Sequence, residues 1–204
     1  MKQKIIIIGA FHEIIELAEE LNVEIDGLVD NVKVGKYRGY NIILNDSDGT
    51  SLPDSYKPIP LIISPDSPIV RERLYVKYSN LDFNFYTLIS PKANISKSAK
   101  IDDGVVVQSG VNVSAEAHIE PMVKLNTYAN IMHNSIIGKF TTVAPNVVVL
   151  GNVKVGKRCY LGSNSTILPN IEICDDATIG AGAVVTKNIT EPGVYVGVPA
   201  VKIK

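Results

Sequence analysis

Residues 143–161 read Val143-Ala144-Pro145-Asn146-Val147-Val148-Val149-Leu150-Gly151-Asn152-Val153-Lys154-Val155-Gly156-Lys157-Arg158-Cys159-Tyr160-Leu161. Val143, Val149, Val155 and Leu161 fall six apart, and the residue two before each of the last three is Val147, Val153 or Cys159. The register extends in both directions without a slip. Every sixth residue from Ile95 to Val185 is aliphatic, which makes sixteen hexads. No α-helix or hairpin sheet needs a strict period of six. A parallel β-helix does, with one hexad per flat face and three faces per coil. Residues eighteen apart then lie above one another. Sixteen hexads make about five coils, and at ~4.8 Å per strand the prism is about 25 Å tall.

The turns provide an internal check. If each hexad rounds a corner, one residue in six adopts a left-handed backbone, which glycine tolerates best, followed by Asn and Asp. The third residue after each aliphatic position is Gly104, Gly110, Asn134, Asn146, Asn152, Asn164, Asn170, Asp176, Gly182 or Asn188 in ten of the sixteen cases. The enrichment occurs at one phase only, as corners require.

Before the repeats the pattern changes. Lys4–Gly9 is a continuous apolar strand, and His12–Leu21 has helical spacing. Val23–Val29 reads as a second strand, ending at Asp30-Asn31. Ile59–Ser64 is a third, Ser67–Tyr78 a helix with Pro68 in its first turn, and Phe83–Ile89 a fourth strand. Asn45–Pro60 reads as a loop. The expected architecture is a small Rossmann-like α/β domain with a parallel sheet over residues 1–88, then an all-β helix over 89–204 with a C-terminal tail.

Bulk properties narrow the function classes. A net charge of −1 offers nothing to nucleic acid or an anionic membrane. No apolar run approaches the ~18–20 residues of a membrane span. The isoleucines after Met1 are too few for a signal sequence, so a cytoplasmic location is expected. Cys159 and Cys174 have no metal-ligand spacing, and Cys159 occupies an inward position.

The repeat resembles the left-handed parallel β-helix of hexapeptide-repeat acyltransferases. Ile179-Gly180-Ala181-Gly182-Ala183-Val184-Val185 is similar to that family's last coil, and Val196-Gly197-Val198-Pro199-Ala200 to the turn after it. The preceding α/β unit narrows the resemblance to bacterial sugar acetyltransferases of the NeuD/PglD type. That resemblance implies a homotrimeric enzyme with active sites between subunits. It implies that acetyl-CoA lies in the cleft between β-helices, near Thr142, Gly151, Ser163, Gly180, Ala181 and Lys187, with Lys202 and Lys204 as further phosphate partners. By the same resemblance His133, two residues past the inward Ile131 and so on a corner, is the general base for the acceptor. Gly151, eighteen residues on, supplies the backbone N–H for the oxyanion.

Three departures from the family pattern bear on the site. Asn134 follows His133 where a carboxylate is expected. It is either an orienting partner or only a corner residue. Thr142 stands where relatives often carry a second histidine and is a candidate donor to the thioester carbonyl. The turn Gly9-Ala10-Phe11-His12-Glu13 opens a helix as a phosphate-binding turn should, but Phe11 and Glu13 stand where glycines are usual, and Glu13 would repel phosphate. Asp30 and Asn31 resemble the pair that contacts base or ribose. Arg71 is either ligand-binding or structural. His118 reads as a surface or interface residue. A zinc enzyme of the γ-carbonic-anhydrase type needs three histidines across an interface, and the coils contain only His118 and His133, so no metal is expected.

The reading is N-acetylation of a nucleotide-linked 4-amino-4,6-dideoxy sugar in surface-glycan or glycoconjugate synthesis. The alternatives are O-acetylation of a sialic-acid-like sugar and a non-catalytic β-helix scaffold.

Overall fold

The computed structural model describes residues 2–47 and 49–204. The chain begins with β1 (Lys4–Ile8), α1 (His12–Glu20), β2 (Glu24–Asp30), β3 (Lys36–Tyr37), β4 (Tyr40–Asn45), a 3₁₀ turn at Asp54–Tyr56, β5 (Leu61–Ile63) and α2 (Pro68–Ser79). The sheet order is β3-β4-β2-β1-β5, parallel except for the antiparallel β3–β4 pair. β1 is a run of isoleucines because both its faces are covered. Ile5 and Ile7 pack in the cluster with α1, while Ile6 and Ile8 pack in the cluster with Leu74 and Tyr78 of α2.

Two features of this half differ from the sequence expectation. The β3–β4 hairpin was not anticipated. Its two-residue turn, Arg38-Gly39, has φ of 50° and 88°, the paired positive angles that match strand twist in a tight hairpin. Phe83–Ile89 is not a fourth strand of this sheet. Phe85 forms one bridge to Leu61, and Leu88–Ile89 pairs instead with Val106–Val107 of the β-helix.

The left-handed β-helix has three faces. The first carries the strands at 88–89, 106–107, 124–125, 142–143, 160–161 and 177–179, then Gly193–Val196 and the antiparallel Val201–Lys202. The second runs from Asn94–Ile95 to Val184–Val185, and the third from Lys100–Ile101 to Glu172–Ile173. Rungs pair residues eighteen apart, as in Asn112↔Asn130 and Thr142↔Tyr160. Inward residues from Val105 to Val185 form one buried column, whereas Ala93, Ile95, Ala99 and Ile101 are only partly buried because no full coil lies beneath them.

Every sixth residue from Gly104 to Gly182 has φ between 56° and 71°. The corner phase therefore holds even at Glu116, Met122, Tyr128, Phe140 and Arg158, where L-residues pay about 1 kcal/mol for a left-handed backbone. Packing of the coils imposes the corner, and Asn or Gly only eases it. Asn188 has no such φ, since the hexads end at Val185.

The α/β domain docks on the lower first face and the adjoining corner. Arg71, 1 % exposed, donates from Nε to the Met122 carbonyl, from Nη1 to those of Pro65 and Asp66, and from Nη2 to that of Phe140. Burial pushes its pKa down to about 10. This settles Arg71 as a structural clamp. Lys124, also 1 % exposed, donates to the Ser64 carbonyl and pairs with Asp66 at 2.8 Å, with its ammonium 5.0 Å from the Phe11 ring centroid. No helix of the described residues is long and apolar enough to cross a membrane.

Candidate active site

His133 and Gly151 stack one coil apart on the corner between the second and third faces. A Cβ on Gly151 would lie 2.7 Å from both Cε1 and Nε2 of His133, so the imidazole lies against the bare glycine. The corner itself does not demand glycine: the residues below and above in the same stack are Ala115 and Pro169. Glycine is needed at 151 because of the histidine.

Asn134 has both of the roles considered for it. Its φ is 59°, so it rounds the corner, and its Oδ1 lies 3.0 Å from His133 Nδ1. An amide oxygen only accepts, so Nδ1 carries the proton and Nε2, on the Gly151 side, carries the lone pair. The backbone N–H of Gly151 has no acceptor among the described residues. The N–H groups beside it are taken, Leu150 by Ile167 and Asn152 by His133. A base and a backbone donor with no acceptor among the described residues thus stand one coil apart on the same corner.

The remaining expected residues do not gather here. Ser163 and Ala181 stack on the corner between the first and second faces, away from His133 within one chain. Gly180 is committed to the fold: its N–H donates to Tyr195, and a Cβ there would meet Val196 at 2.7 Å. Lys187 is exposed near the top, and Lys202 pairs with Glu191. Thr142 is fully buried on the first face, and its hydroxyl donates to the Asp66 carbonyl at 2.6 Å. With its one proton spent there, it is not the thioester donor expected from the sequence. His118 pairs instead with Asp102 at 2.8 Å on the third face.

In the α/β domain, Gly9 has φ of 86° and packs so closely that a Cβ would lie 2.7 Å from Ser64 Oγ. Gly9, Ala10, Phe11, Asp30, Asn31, Lys33 and Asp66 border a cavity of about 240 Å³. His12 is exposed, with its ring 4.8 Å from that of Phe11. Glu13 does not oppose phosphate. It turns to the other side of α1, where its carboxylate accepts from Gln108 Nε2 at 3.2 Å. Asp30 is mainly structural. Burial alone would raise its pKa, but the N–H groups of Lys33, Val32 and Ala10 donate to it and hold it below the usual carboxylate range.

A larger cavity of about 430 Å³ adjoins this one, sharing Gly9, Asp30, Asn31 and Pro65 and adding Asp46, Arg73 and Lys77. Sequence reading missed these residues along with Asp66 and Lys124. Recognising β4 would have found Asp46, since ligand crevices in such sheets lie at the carboxyl ends of strands.

The family model "Bacterial transferase hexapeptide (six repeats)" matches residues 152–187. No curated protein matches the sequence. Among solved structures, the chain is similar to the acetyltransferase domain of PglB from Neisseria gonorrhoeae FA1090 in complex with acetyl coenzyme A, at 25 % identity and TM-score 0.91 over 100 % of both chains. It is similar to PerB from Caulobacter crescentus in complex with CoA and GDP-perosamine, at 25 % identity and TM-score 0.88 over 100 % of this chain and 98 % of that one. WeeI from Acinetobacter baumannii AYE shares the fold at 23 % identity, with TM-score 0.88 over 98 % of this chain and 100 % of that one. The family resembled in sequence is therefore also where the structural neighbours lie.

Proposed function

We propose that the protein is an acetyl-CoA-dependent N-acetyltransferase acting on a nucleotide-linked amino sugar. The observation that carries the reading is the His133–Gly151 stack, in which an imidazole oriented by Asn134 lies against a glycine whose N–H has no acceptor among the described residues. The full-length likeness to acetyltransferases supports it. His133 Nε2 takes a proton from the sugar ammonium or from the attacking amine. The amine attacks the thioester carbonyl, and the Gly151 N–H stabilises the resulting oxyanion. Collapse of the intermediate expels the CoA thiolate, which accepts a proton, so the step is direct transfer with no acyl-enzyme. Asn134 holds the imidazole tautomer but adds no negative charge to stabilise imidazolium.

The working unit we propose is a homotrimer. The His133 corner is opposite the face on which the α/β domain docks, and Ser163 and Ala181 occupy a different corner. Only a second copy can bring an acceptor cavity and a CoA track to His133. The acceptor class we favour is a 4-amino-4,6-dideoxy sugar for glycan synthesis, acetylated in the cytoplasm, where acetyl-CoA and nucleotide sugars are made.

The test is CoA thiol release by the full chain with amino-sugar and hydroxy-sugar nucleotides, in wild type and His133→Ala. Turnover with amino sugars alone, falling by about 10²–10⁴-fold in the variant, is the expected result. Wild-type inactivity across the panel, or an unimpaired His133→Ala, would overturn the reading. Turnover with hydroxy sugars alone would make the enzyme an O-acetyltransferase.

A further inference from the structure

The larger cavity of the α/β domain is not used by the chemistry above. Ile8, Val70 and Leu74 give it apolar walls suited to a planar ring, and Asp46 and Arg73 give it opposite charges. Among the described residues, neither the Asp46 carboxylate nor the Arg73 guanidinium has a hydrogen-bond or ion-pair partner. Lys77, one turn further along α2 than Arg73, is committed, since its ammonium donates to the Thr50 carbonyl. The cavity therefore presents one unused two-oxygen acceptor and one unused fork of donors.

A ligand that satisfies both needs two adjacent donors on one edge and two adjacent acceptors on another. Guanine has this arrangement, with N1–H beside the N2 amino group and O6 beside N7. Uracil and thymine have one N–H between two carbonyls, whose lone pairs oppose a carboxylate. Adenine and cytosine have one amino donor beside a ring-nitrogen acceptor. We infer that the acceptor sugar is carried on guanosine diphosphate, with Asp46 reading the N1–H and N2 amino edge and Arg73 the O6 and N7 edge. The inference rests on the nucleotide-sugar reading of this domain. The two cavities share Gly9, Asp30 and Asn31, so a diphosphate crossing the Gly9–Ala10 turn joins a base in the larger to a sugar in the smaller, beside Phe11 and Asp66.

The experiment is calorimetric titration of the full chain with GDP, IDP, UDP and dTDP, repeated on Asp46→Asn and Arg73→Ala. IDP lacks only the N2 amino group. Wild type is expected to bind GDP about 10-fold or more tightly than IDP, UDP or dTDP, and Asp46→Asn to bring GDP and IDP close together. Arg73→Ala weakens GDP and IDP alike. Equal or tighter binding of UDP or dTDP overturns the guanine assignment and leaves the nucleotide-sugar reading intact. A GDP-to-IDP ratio unchanged in Asp46→Asn overturns the assignment of that residue in the same way. If no nucleoside diphosphate binds while CoA still does, the nucleotide-sugar reading fails and the inference with it.

Discussion

Gly151→Ala tests whether the imidazole is where the structure places it. The new methyl would start 2.7 Å from His133 Cε1 and Nε2. Ordinary contact is about 3.5 Å, so the ring must retreat by about 0.8 Å. Retreat by rotation breaks the 3.0 Å link from Nδ1 to Asn134 and removes the tautomer lock. A misplacement of about 1 Å costs about 10²-fold, so kcat/KM should fall by about that factor, or about 2.7 kcal/mol of transition-state stabilisation. Stability should change little, because Ala115, two coils below, and Pro169, one coil above, occupy the same corner position. The assay is thiol release alongside a thermal melt, extended to the double variant with His133→Ala. If glycine serves only to seat the ring, Gly151→Ala should have almost no effect once the ring is gone. If the thioester also needs the bare Cα, a further loss appears. Full activity in Gly151→Ala would refute the stacking argument. A melting temperature lowered by many degrees would show instead that the coil requires the glycine.

Asn134→Asp places a carboxylate against Nδ1. That charge stabilises the imidazolium formed as the base takes its proton, so kcat/KM should rise; an unchanged kcat/KM would mean that residue 134 does not touch the ring in solution. Arg71→Met leaves the carbonyls of Met122, Phe140 and Pro65 without their donor and should cost about 3 kcal/mol in urea unfolding, whereas a loss below about 0.5 kcal/mol would show that the clamp is replaceable by water. Co-expression of His133→Ala with Asn31→Glu/Lys33→Glu, each inactive alone, should restore about a quarter of wild-type turnover, because each proposed site draws one member from each of two neighbours. No recovery in purified mixed oligomers would place the site within one chain.

The β-helix was legible because its period assigns each residue a position. Inward residues, corners and the one-coil spacing of His133 and Gly151 come from counting, while the roles of those two residues come from the family resemblance. The α/β half has no such period. Its helices and buried strands appeared because apolar runs mark them, but β3 has only two residues and β4 is only partly buried, and the turn joining them signals itself only through Arg38-Gly39. Missing β4 hid Asp46. The direction of the Glu13 side chain is hidden from the sequence for a different reason. Sequence gives its place at the start of α1, while the direction of its side chain is decided by Gln108, ninety-five residues away.

Thr142 shows how far the period can be taken. It lies nine residues beyond His133, which is half a coil of eighteen. Half a coil carries the chain from a corner to the middle of the opposite face, so within one chain the two side chains cannot meet. On that face the outward positions answer to the docked domain. Lys124 and Thr142, one coil apart, both bond the segment Ser64–Asp66, and each is buried to do so. A polar residue at an outward hexad position thus has two possible causes, a ligand or a covering domain, and the sequence at that position looks the same for both. The face decides between them. The first face is covered low on the prism, so its polar residues serve docking. The His133 corner is uncovered, and an exposed imidazole oriented by Asn134 against a glycine has no structural task there. Function is read more safely at the corner than on the face, and a proposed ligand contact on the first face has to show that the α/β domain leaves it free.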